Sequence, residues 1–241
     1  MKYAVLNLLL GAGLISQGFL YRSAAIPLFW LGASFLILGM AYLAGRPGLL
    51  GKRADGTMAW WSRGLLFPLH LYIHSVWHLC RIFSREPAVC RVTPRLSVGR
   101  RLLASEIPSD VELIVDLTAE FPEPAGVREG RDYRLFPMLD ATAPDADRLR
   151  EFIASLPDAP TFIHCAQGHG RTGLFAMVFL VHRGVCASLP EAETLLTAAR
   201  PGIRLNGEQR AFIAACELNA LIHQPQGARR KQEGEGPEAI R

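Results

Sequence analysis

The chain has 241 residues, of which 50% are hydrophobic and 20% are charged, with a formal net charge of +4. This mild positive charge gives no indication of nucleic-acid binding, so we predict no nucleic-acid partner. The mean hydropathy of +0.18 is high for a soluble protein of this size, and most of the apolar excess lies in the first 83 residues. The five cysteines form no regular framework, which favours a reducing compartment over a secreted, disulfide-rich protein.

The N-terminal part of the chain, residues 1–45, contains two uncharged apolar segments, residues 3–21 and 24–44. About 20 apolar residues are enough for a helix to cross a bilayer, and only a short turn at Arg22 separates the two segments. The sequence therefore predicts a transmembrane hairpin. A cleaved signal peptide is the main alternative for the first segment, but another apolar segment follows it instead of a cleavage site and polar sequence.

Basic residues near the ends of the two segments predict the orientation of the hairpin. Lys2 precedes the first segment, and Arg46, Lys52 and Arg53 follow the second, whereas the connecting turn holds only Arg22. Lysine and arginine accumulate on the cytoplasmic side of membrane proteins. We therefore expect an integral membrane protein in which both ends of the hairpin, and everything after it, face the cytoplasm.

Residues 46–88 are predicted to form a glycine-rich basic linker followed by an amphipathic helix that lies in the membrane interface. The helical segment, residues 64–83, is apolar but carries His70, His74 and His78 at four-residue steps. These histidines share one side of a helix, so metal binding is an alternative. No carboxylate or cysteine completes a clear ligand set, and we predict no metal there. A third membrane span is a further alternative.

Residues 161–181 combine a short apolar strand, a glycine-rich loop and an apolar helix that begins at Arg171. Gly168, Gly170 and Gly173 allow the loop backbone to curl, so that successive N–H groups can point at one concave site. That site lies at a helix N-terminus, where unpaired N–H groups and the helix dipole attract negative charge. The loop is therefore predicted to bind an anion.

Cys165 and Arg171 lie six positions apart at the two ends of this loop, and a phosphate fits between them. The loop amides, the helix dipole and the guanidinium favour a thiolate, the nucleophilic form of cysteine. Arg171 offers a planar fork that matches two phosphate oxygens. We predict that the Thr172 hydroxyl donates to the sulfur and that His164 fixes the loop by side-chain hydrogen bonding. The remaining phosphate-binding positions are Ala166, Gln167, Gly168, His169 and Gly170.

The pattern His164-Cys165-x5-Arg171-Thr172-Gly173 resembles the signature loop of the cysteine-dependent protein tyrosine phosphatases. Residues 91–99 resemble the opening strand of the dual-specificity members, and the resemblance covers residues 91–222. It implies an α/β fold, the parallel-sheet tyrosine and dual-specificity phosphatase fold, for a catalytic domain at residues 89–223 preceded by the helical transmembrane hairpin. It also implies catalysis without a metal or other cofactor. With the topology above, it predicts a cytoplasm-facing catalytic domain on a bacterial inner membrane.

Expulsion of an alkoxide or phenoxide needs a proton, so the reaction needs a general acid. Asp140 is the predicted acid, because its place upstream of the cysteine loop is similar to that of the family's acid aspartate. Asp145 and Asp147 are alternatives, but both fit the start of a following helix that we expect Thr142 to cap. The resemblance also suggests that Asn206 supports the phosphate loop, although an ordinary loop cap explains it equally well.

The predicted function is a membrane-anchored phosphomonoester hydrolase that forms a phosphocysteine intermediate. The favoured form is a tyrosine or dual-specificity phosphatase that acts on phosphorylated proteins. The alternative is a lipid phosphatase of the phosphatidylglycerophosphate type. The loop lacks the lysines that bind polyphosphorylated lipids, which argues against those lipids but does not exclude a monophosphate lipid. A phosphate-binding adaptor without turnover is a second alternative. Membrane lipid is the other expected partner. Residues 224–241 are predicted to be a disordered tail.

Overall fold

The computed structural model describes residues 2–223, and the predicted disordered tail lies outside them. The N-terminal helices are α1 Lys2–Leu20, α2 Ala25–Ala44, α3 Trp60–Leu65 and α4 Phe67–Phe83. The strands are β1 Val89–Thr93, β2 Leu96–Arg100, β3 Leu113–Thr118, β4 Asp132–Met138 and β5 Thr161–Cys165. The later helices are α5 Ala125–Arg128, α6 Ala146–Ser155, α7 Gly170–His182, α8 Leu189–Ala199 and α9 Gly207–His223.

The five strands form one sheet in the order β1-β2-β5-β3-β4, in which only the β1–β2 pair is antiparallel. This mostly parallel sheet with helices confirms the predicted fold class. Every residue of β3 and β5 is buried, as expected for central strands whose two faces are both covered. Cys165 is the last residue of β5, so the sheet places it at the carboxyl edge, where the loop to α7 begins.

Helices α1 and α2 pack against each other at glycines. A Cβ atom added to Gly11 would lie 2.8 Å from the carbonyl oxygen of Gly32, and one added to Gly39 would lie 2.7 Å from Cγ of Leu8. Small residues allow such close approach of apolar helices. Both helices are long and apolar enough to cross a membrane, which gives weak support to the predicted membrane anchor.

The segment predicted as a single interfacial helix is divided into α3 and α4 at Leu66, ahead of a proline in the first turn of α4. The carbonyl of Leu65 accepts hydrogen bonds from Nε1 of Trp30 and Oγ of Ser34, both on α2 and each at 3.0 Å. Near the other end of α4, Nε1 of Trp77 donates to the carbonyl of Ala166 at 3.0 Å. Helix α4 thus connects α2 with the cysteine loop.

The linker after α2 contacts β3 and the loop that follows it. Lys52 forms an ion pair with Asp116 of β3, and the two side chains are 1% and 0% exposed. The carbonyl of Gly56 accepts a hydrogen bond from the backbone N–H of Glu123 at 2.9 Å. Lys52 therefore does not contribute a free positive charge beside a membrane, which corrects its use in the orientation argument. The predicted division of the chain at residues 45, 88 and 223 stays a prediction.

Candidate active site

The loop after β5 wraps around the sulfur of Cys165. The backbone N–H of Gly168 points at Sγ from 3.3 Å, and the side chain of Cys165 is almost completely buried. Gly168 has a φ of +74°, and a Cβ atom there would collide with the backbone of Gly99 on β2. Glycine alone adopts this positive φ without strain and has no Cβ atom to collide. The close contact with β2 therefore fixes the curvature of the loop.

Arg171, in the first turn of α7, is buried and held in a fixed orientation. Its Nη1 and Nη2 atoms lie 2.9 Å and 2.7 Å from the two carboxylate oxygens of Glu120, and Nη1 also donates to the carbonyl of Met138 at 3.0 Å. Burial alone would lower the pKa of Arg171, but the Glu120 carboxylate raises it well above its ordinary value. The guanidinium is thus a permanent charge that faces the loop.

Glu120 is a site residue that the sequence analysis missed. Burial alone would raise the pKa of Glu120, but Arg171 lowers it below its ordinary value, so the two groups form a charged bidentate pair. A local signal did exist. Glu120 is the first carboxylate after the fully buried strand β3, which pairs with β5, and the carboxyl ends of adjacent parallel strands lie together.

Asp140 lies two residues after β4, on the same side of the molecule as Cys165. Its carboxylate is largely exposed, and Oδ1 lies 3.3 Å from Nε of Arg171. That Nε atom has no hydrogen-bond partner among the described residues. The carbonyl of Asp140 accepts a hydrogen bond from the hydroxyl of Tyr42 at 3.1 Å. The structure therefore brings together Cys165, Arg171 and Asp140, although it does not test their predicted roles.

The two alternative acids are engaged elsewhere. Asp145, not Thr142, caps helix α6, because its side chain accepts a hydrogen bond from the backbone N–H of Arg148 at 2.9 Å. The Thr142 hydroxyl instead donates to the carbonyl of Leu139 at 2.9 Å. Asp147 pairs with Arg150 on the exposed side of the helix, at 2.6 Å. The expectation that Thr142 caps α6 was thus wrong, because Asp145 is three residues closer to the first helical turn.

His164 and Thr172 are both fully buried, and neither makes a side-chain hydrogen bond to another described residue. The predicted role of His164 in fixing the loop by hydrogen bonding stays a prediction. Its ring stacks on Phe162, with centroids 5.3 Å apart, and burial lowers its pKa to about 4, so the ring is neutral. The predicted donation from Thr172 to the sulfur stays a prediction.

A buried charge cluster lies beneath the loop. Asp116, Glu123 and His164 place potential ligand atoms within 4.8 Å of one another, a spacing that a metal ion would accept. Lys52, however, already donates to Asp116, at 2.5 Å. Burial together with the Asp116 carboxylate raises the pKa of Glu123 to about 8. The ammonium of Lys52 and the buried guanidinium of Arg101, whose Nε lies 3.6 Å from a carboxylate oxygen of Glu123, already supply positive charge to this cluster, so we assign no metal to it.

The histidines of α4 do not converge on one point. Nδ1 of His74 lies 2.8 Å from the carbonyl of His70 in its own helix, and the ring of His74 meets Phe121 edge-on. Burial lowers the pKa of His70 to about 4. The ring of His74 thus packs between α4 and Phe121, whereas His78 is exposed.

Arg200 supports the phosphate loop, a role that the sequence analysis did not assign. Its buried guanidinium donates to the carbonyls of Gly168 and Gln167, each at 2.9 Å. Glu86 pairs with Arg200 at 3.0 Å and with Nε2 of His169 at 2.7 Å. The loop carbonyls are thereby drawn outward, which leaves the loop N–H groups facing the sulfur.

Asn206 supports a different loop from the one predicted. Its Nδ2 donates to the carbonyl of Ala141, beside Asp140, at 2.9 Å, and its Oδ1 caps α9 by accepting from the backbone N–H of Gln209 at 3.0 Å. Neither bond reaches the phosphate loop. Asn206 therefore holds the loop of the predicted acid, and the structure corrects the expectation that it supports the phosphate loop.

A cavity of about 440 Å³ opens over Cys165. Its floor is the phosphate loop with Arg171, and one side is formed by Glu120 and Asp140. The opposite walls come from α2 and α4, outside the sheet and its covering helices. The cavity can therefore hold a phosphate group together with a larger apolar group attached to it.

Comparisons with known proteins agree with this arrangement. The family model described as "Swiss Army Knife protein, DSP-PTPase phosphatase domain" matches residues 88–221. The structure of a single-residue variant of human DUSP28 is 20% identical, with a TM-score of 0.51, over 58% of this chain and 100% of that chain. A mutant form of Tk-PTP is 24% identical, with a TM-score of 0.51, over 56% of this chain and 98% of that chain. At these identities the two structures show the fold alone. No curated protein matches the chain significantly.

Proposed function

Since the chain belongs to the DSP-PTPase phosphatase domain family of Swiss Army Knife proteins, we propose that it is a membrane-anchored phosphomonoester hydrolase that works through a phosphocysteine intermediate. One observation carries this proposal. The Sγ atom of Cys165 lies in a loop whose N–H group points at it, next to a guanidinium that is fixed by a carboxylate. A phosphate in this cradle has its phosphorus within reach of the sulfur.

In the first proposed step, the thiolate of Cys165 attacks phosphorus and the bond from phosphorus to the ester oxygen breaks. Asp140 gives its proton to that oxygen, so the alcohol or phenol leaves neutral and Asp140 becomes a carboxylate. Arg171 and the loop N–H groups stabilise the charge on the three remaining oxygens. The Glu120 pair keeps the guanidinium oriented, so little reorganisation is needed as the charge develops.

In the second proposed step, a water molecule attacks the phosphocysteine and the S–P bond breaks. The Asp140 carboxylate accepts the proton of that water and returns to its acid form, as microscopic reversibility requires. The Thr172 hydroxyl would donate to the departing sulfur. The products are inorganic phosphate and the free thiolate, and the residues described need no metal for either step.

Membrane anchoring is supported by the apolar hairpin and by the outward faces of α3 and α4. Large apolar side chains on these two helices are strongly exposed, among them Trp60 at 80%, Ile82 at 65% and Phe83 at 79%. An exposed apolar surface next to an apolar hairpin is typical of contact with lipid. With Lys52 removed from the count, Arg46 and Arg53 still favour a cytoplasmic catalytic domain, while a bacterial inner membrane stays a prediction.

The test uses the full-length protein in detergent and two aryl phosphates with leaving groups of different acidity. Cys165→Ser should abolish phosphate release. Asp140→Asn should lower kcat about 10²- to 10⁴-fold for phenyl phosphate, and less for p-nitrophenyl phosphate, because the more acidic leaving group needs less protonation. Asp147→Asn is the matched control, since this aspartate lies on the exposed face of α6, and it should retain the wild-type kcat.

Two results would contradict the proposal. If Asp140→Asn retains full activity on both esters, Asp140 is not the acid. If the wild-type protein binds phosphate esters but releases no phosphate, and no labelled phosphocysteine is recovered after acid quenching, the adaptor alternative is correct. Protein and lipid phosphomonoesters both fit this chemistry.

A further inference from the structure

The cavity over Cys165 is completed by the N-terminal helices. Leu38 and Tyr42 of α2 line one wall, and Leu69, Ile73 and Val76 of α4 line another. A catalytic domain limited to the residues that match the family, 88–221, would lack both walls. The helices that distinguish this chain therefore shape the space that receives the part of the substrate beyond its phosphate.

We infer that the substrate is a lipid phosphomonoester, with its phosphate in the cradle and the first methylenes of its chain in the cleft between α2 and α4. This inference rests on the proposed phosphatase function of the cradle. The cleft α2–α4 is defined by Leu38 and Tyr42 on one side and by Leu69, Ile73 and Val76 on the other. An acyl or alkyl chain is the occupant whose chemistry matches these walls.

The apolar side chains that line the cavity range from buried to exposed. Leu50 and Leu69 are 2% and 3% exposed, whereas Val76 and Tyr72 are 39% and 60% exposed. A cavity of about 440 Å³ is in the range that encloses organic ligands much larger than phosphate. A chain attached to a phosphate in the cradle would therefore leave along apolar side chains.

The charges that line the cavity suit a single phosphate. Among the described residues that line it, Arg171 is the only arginine or lysine, and Glu120 occupies both of its Nη atoms. The Glu120 carboxylate already offsets much of the charge of this guanidinium, so little positive charge is left for a second anionic group. This arrangement disfavours a second phosphate and the acidic side chains of a peptide. It favours a substrate whose part beyond the phosphate is neutral and apolar.

The position of the cleft along α2 gives a third argument. The Leu65 carbonyl, just before α4, is hydrogen-bonded by Ser34, which lies ten residues before the end of α2 at Ala44. At 1.5 Å per residue, the start of α4 is therefore about 15 Å along α2 from its end. Phe67 of α4 stacks on Trp30 of α2, with ring centroids 5.8 Å apart, and Phe67 and Leu71 are 50% and 57% exposed. Beside a membrane-embedded α2, these side chains would contact the acyl chains of the adjoining leaflet.

A lipid in that leaflet reaches the cleft by lateral diffusion, without leaving the membrane. A phosphorylated peptide from the aqueous phase would have to insert between two apolar helices and desolvate its backbone, which is costly without hydrogen-bond partners. Geometry and energetics thus favour the lipid over the peptide.

The experiment compares three substrates of the full-length protein in phosphatidylcholine vesicles. The probes are phosphatidic acid within the vesicle, soluble p-nitrophenyl phosphate and a soluble phosphotyrosyl peptide, each followed by release of inorganic phosphate. Leu38→Trp and Val76→Trp fill the cleft α2–α4. Leu43→Trp and Leu79→Trp are the matched controls, because these leucines are exposed on the same two helices, at 52% and 55%, and do not line the cavity.

The cleft variants should lose at least tenfold in the ratio of phosphatidic acid turnover to their own p-nitrophenyl phosphate turnover, since each buried methylene contributes about fourfold to binding. The control variants should keep the wild-type ratio. Turnover of the soluble ester shows at the same time that each variant is folded.

Equal ratios in cleft and control variants would overturn the inference, and so would faster wild-type turnover of the peptide than of phosphatidic acid. Either result leaves the proposed phosphatase function intact. Failure of the wild-type protein to hydrolyse p-nitrophenyl phosphate is a different result, because it removes the phosphatase function and the inference together.

Discussion

Replacement of Lys52 by methionine removes a cation from the buried charge cluster while keeping most of the side-chain volume. Nζ of Lys52 lies 2.5 Å from Oδ2 of Asp116 and 2.7 Å from Oγ1 of Thr118. Asp116 also accepts a hydrogen bond from the Tyr133 hydroxyl at 2.7 Å. Burial alone would raise the pKa of Asp116, but the Lys52 ammonium holds it well below its ordinary value. The variant therefore leaves a buried carboxylate without its counterion.

The expected loss of stability follows from this burial. Removal of one partner from a buried ion pair costs about 3–5 kcal/mol, because the remaining charge is uncompensated. A typical domain has a free energy of unfolding of only about 5–15 kcal/mol, so the variant should fold but be strongly destabilised. Arg53→Met is the matched control. Arg53 is the exposed neighbour of Lys52, and a substitution there should change stability by about 0.5 kcal/mol or less.

Hydrogen exchange of β3 amides, measured by mass spectrometry on the full-length protein, gives this free energy directly, because central strands exchange through global unfolding. The loss should appear as an exchange rate that is faster by about a hundredfold to several thousandfold. Addition of Asp116→Asn to Lys52→Met should recover part of the loss, since it removes the uncompensated charge. A change of less than tenfold in the single variant would refute the proposed burial of the pair.

Two further predictions concern carboxylates that the sequence analysis did not assign. Glu120→Gln should lower kcat/KM for p-nitrophenyl phosphate about ten- to a hundredfold, because Arg171 loses a charge-assisted bidentate partner. The exposed control Glu112→Gln should have no effect. Equal kcat/KM values for the two variants would contradict a positioning role of Glu120. Glu123 has a folded-state pKa of about 8, above its unfolded value of about 4.3, so its protonated form stabilises the fold at low pH and this contribution is lost as pH rises toward 8. Urea unfolding from pH 5 to 7 should therefore show that the free energy of unfolding of Glu123→Gln rises relative to that of the wild type by about 1.4 kcal/mol per pH unit. If the two free energies depend on pH in the same way, the pKa of Glu123 is not raised.

The sequence predicted the centre of the fold because its signals there are local. Residues 161–181 carry the strand, the loop and the helix in one continuous stretch, and the structure places β5 and α7 there. The fold class was confirmed by the mostly parallel sheet. Ser188, which Leu189, Pro190 and Glu191 follow, carries the local signals of a helix start, and its side chain caps α8. Apolar runs and capping residues report on their own neighbourhood, so a sequence pattern is enough to find them.

The residues that the sequence analysis missed act over long separations. Glu120 is 51 positions from Arg171, and Lys52 is 64 positions from Asp116. Nothing near Lys52 in the sequence separates a lysine that faces a membrane surface from one that enters a protein core. The predicted membrane orientation treated Lys52 as a lysine at the membrane surface, whereas the structure places it in the protein core. Only the three-dimensional pairing of the linker with β3 decides between these interpretations.

His164 illustrates a different difficulty. The family pattern identifies the position beside the nucleophile, but the expected hydrogen bond depends on which groups meet the ring. Here the nearest carboxylate oxygens, on Asp116 and Glu123, lie 4.0 Å and 3.8 Å away, beyond hydrogen-bond distance. A motif specifies which side chain occupies a position, whereas the packing of distant strands decides what that side chain contacts.

The loop of Asp140 connects the chemistry to the N-terminal helices. Two successive carbonyls in this loop accept hydrogen bonds from different elements, that of Asp140 from Tyr42 of α2 and that of Ala141 from Asn206 at the start of α9. Tyr42 also lines the cavity that receives the substrate. A ligand chain lying against Tyr42 would therefore contact the residue that holds the acid's backbone. Recognition of the apolar part of the proposed substrate and placement of the proposed acid would thus share one side chain, which α2 contributes.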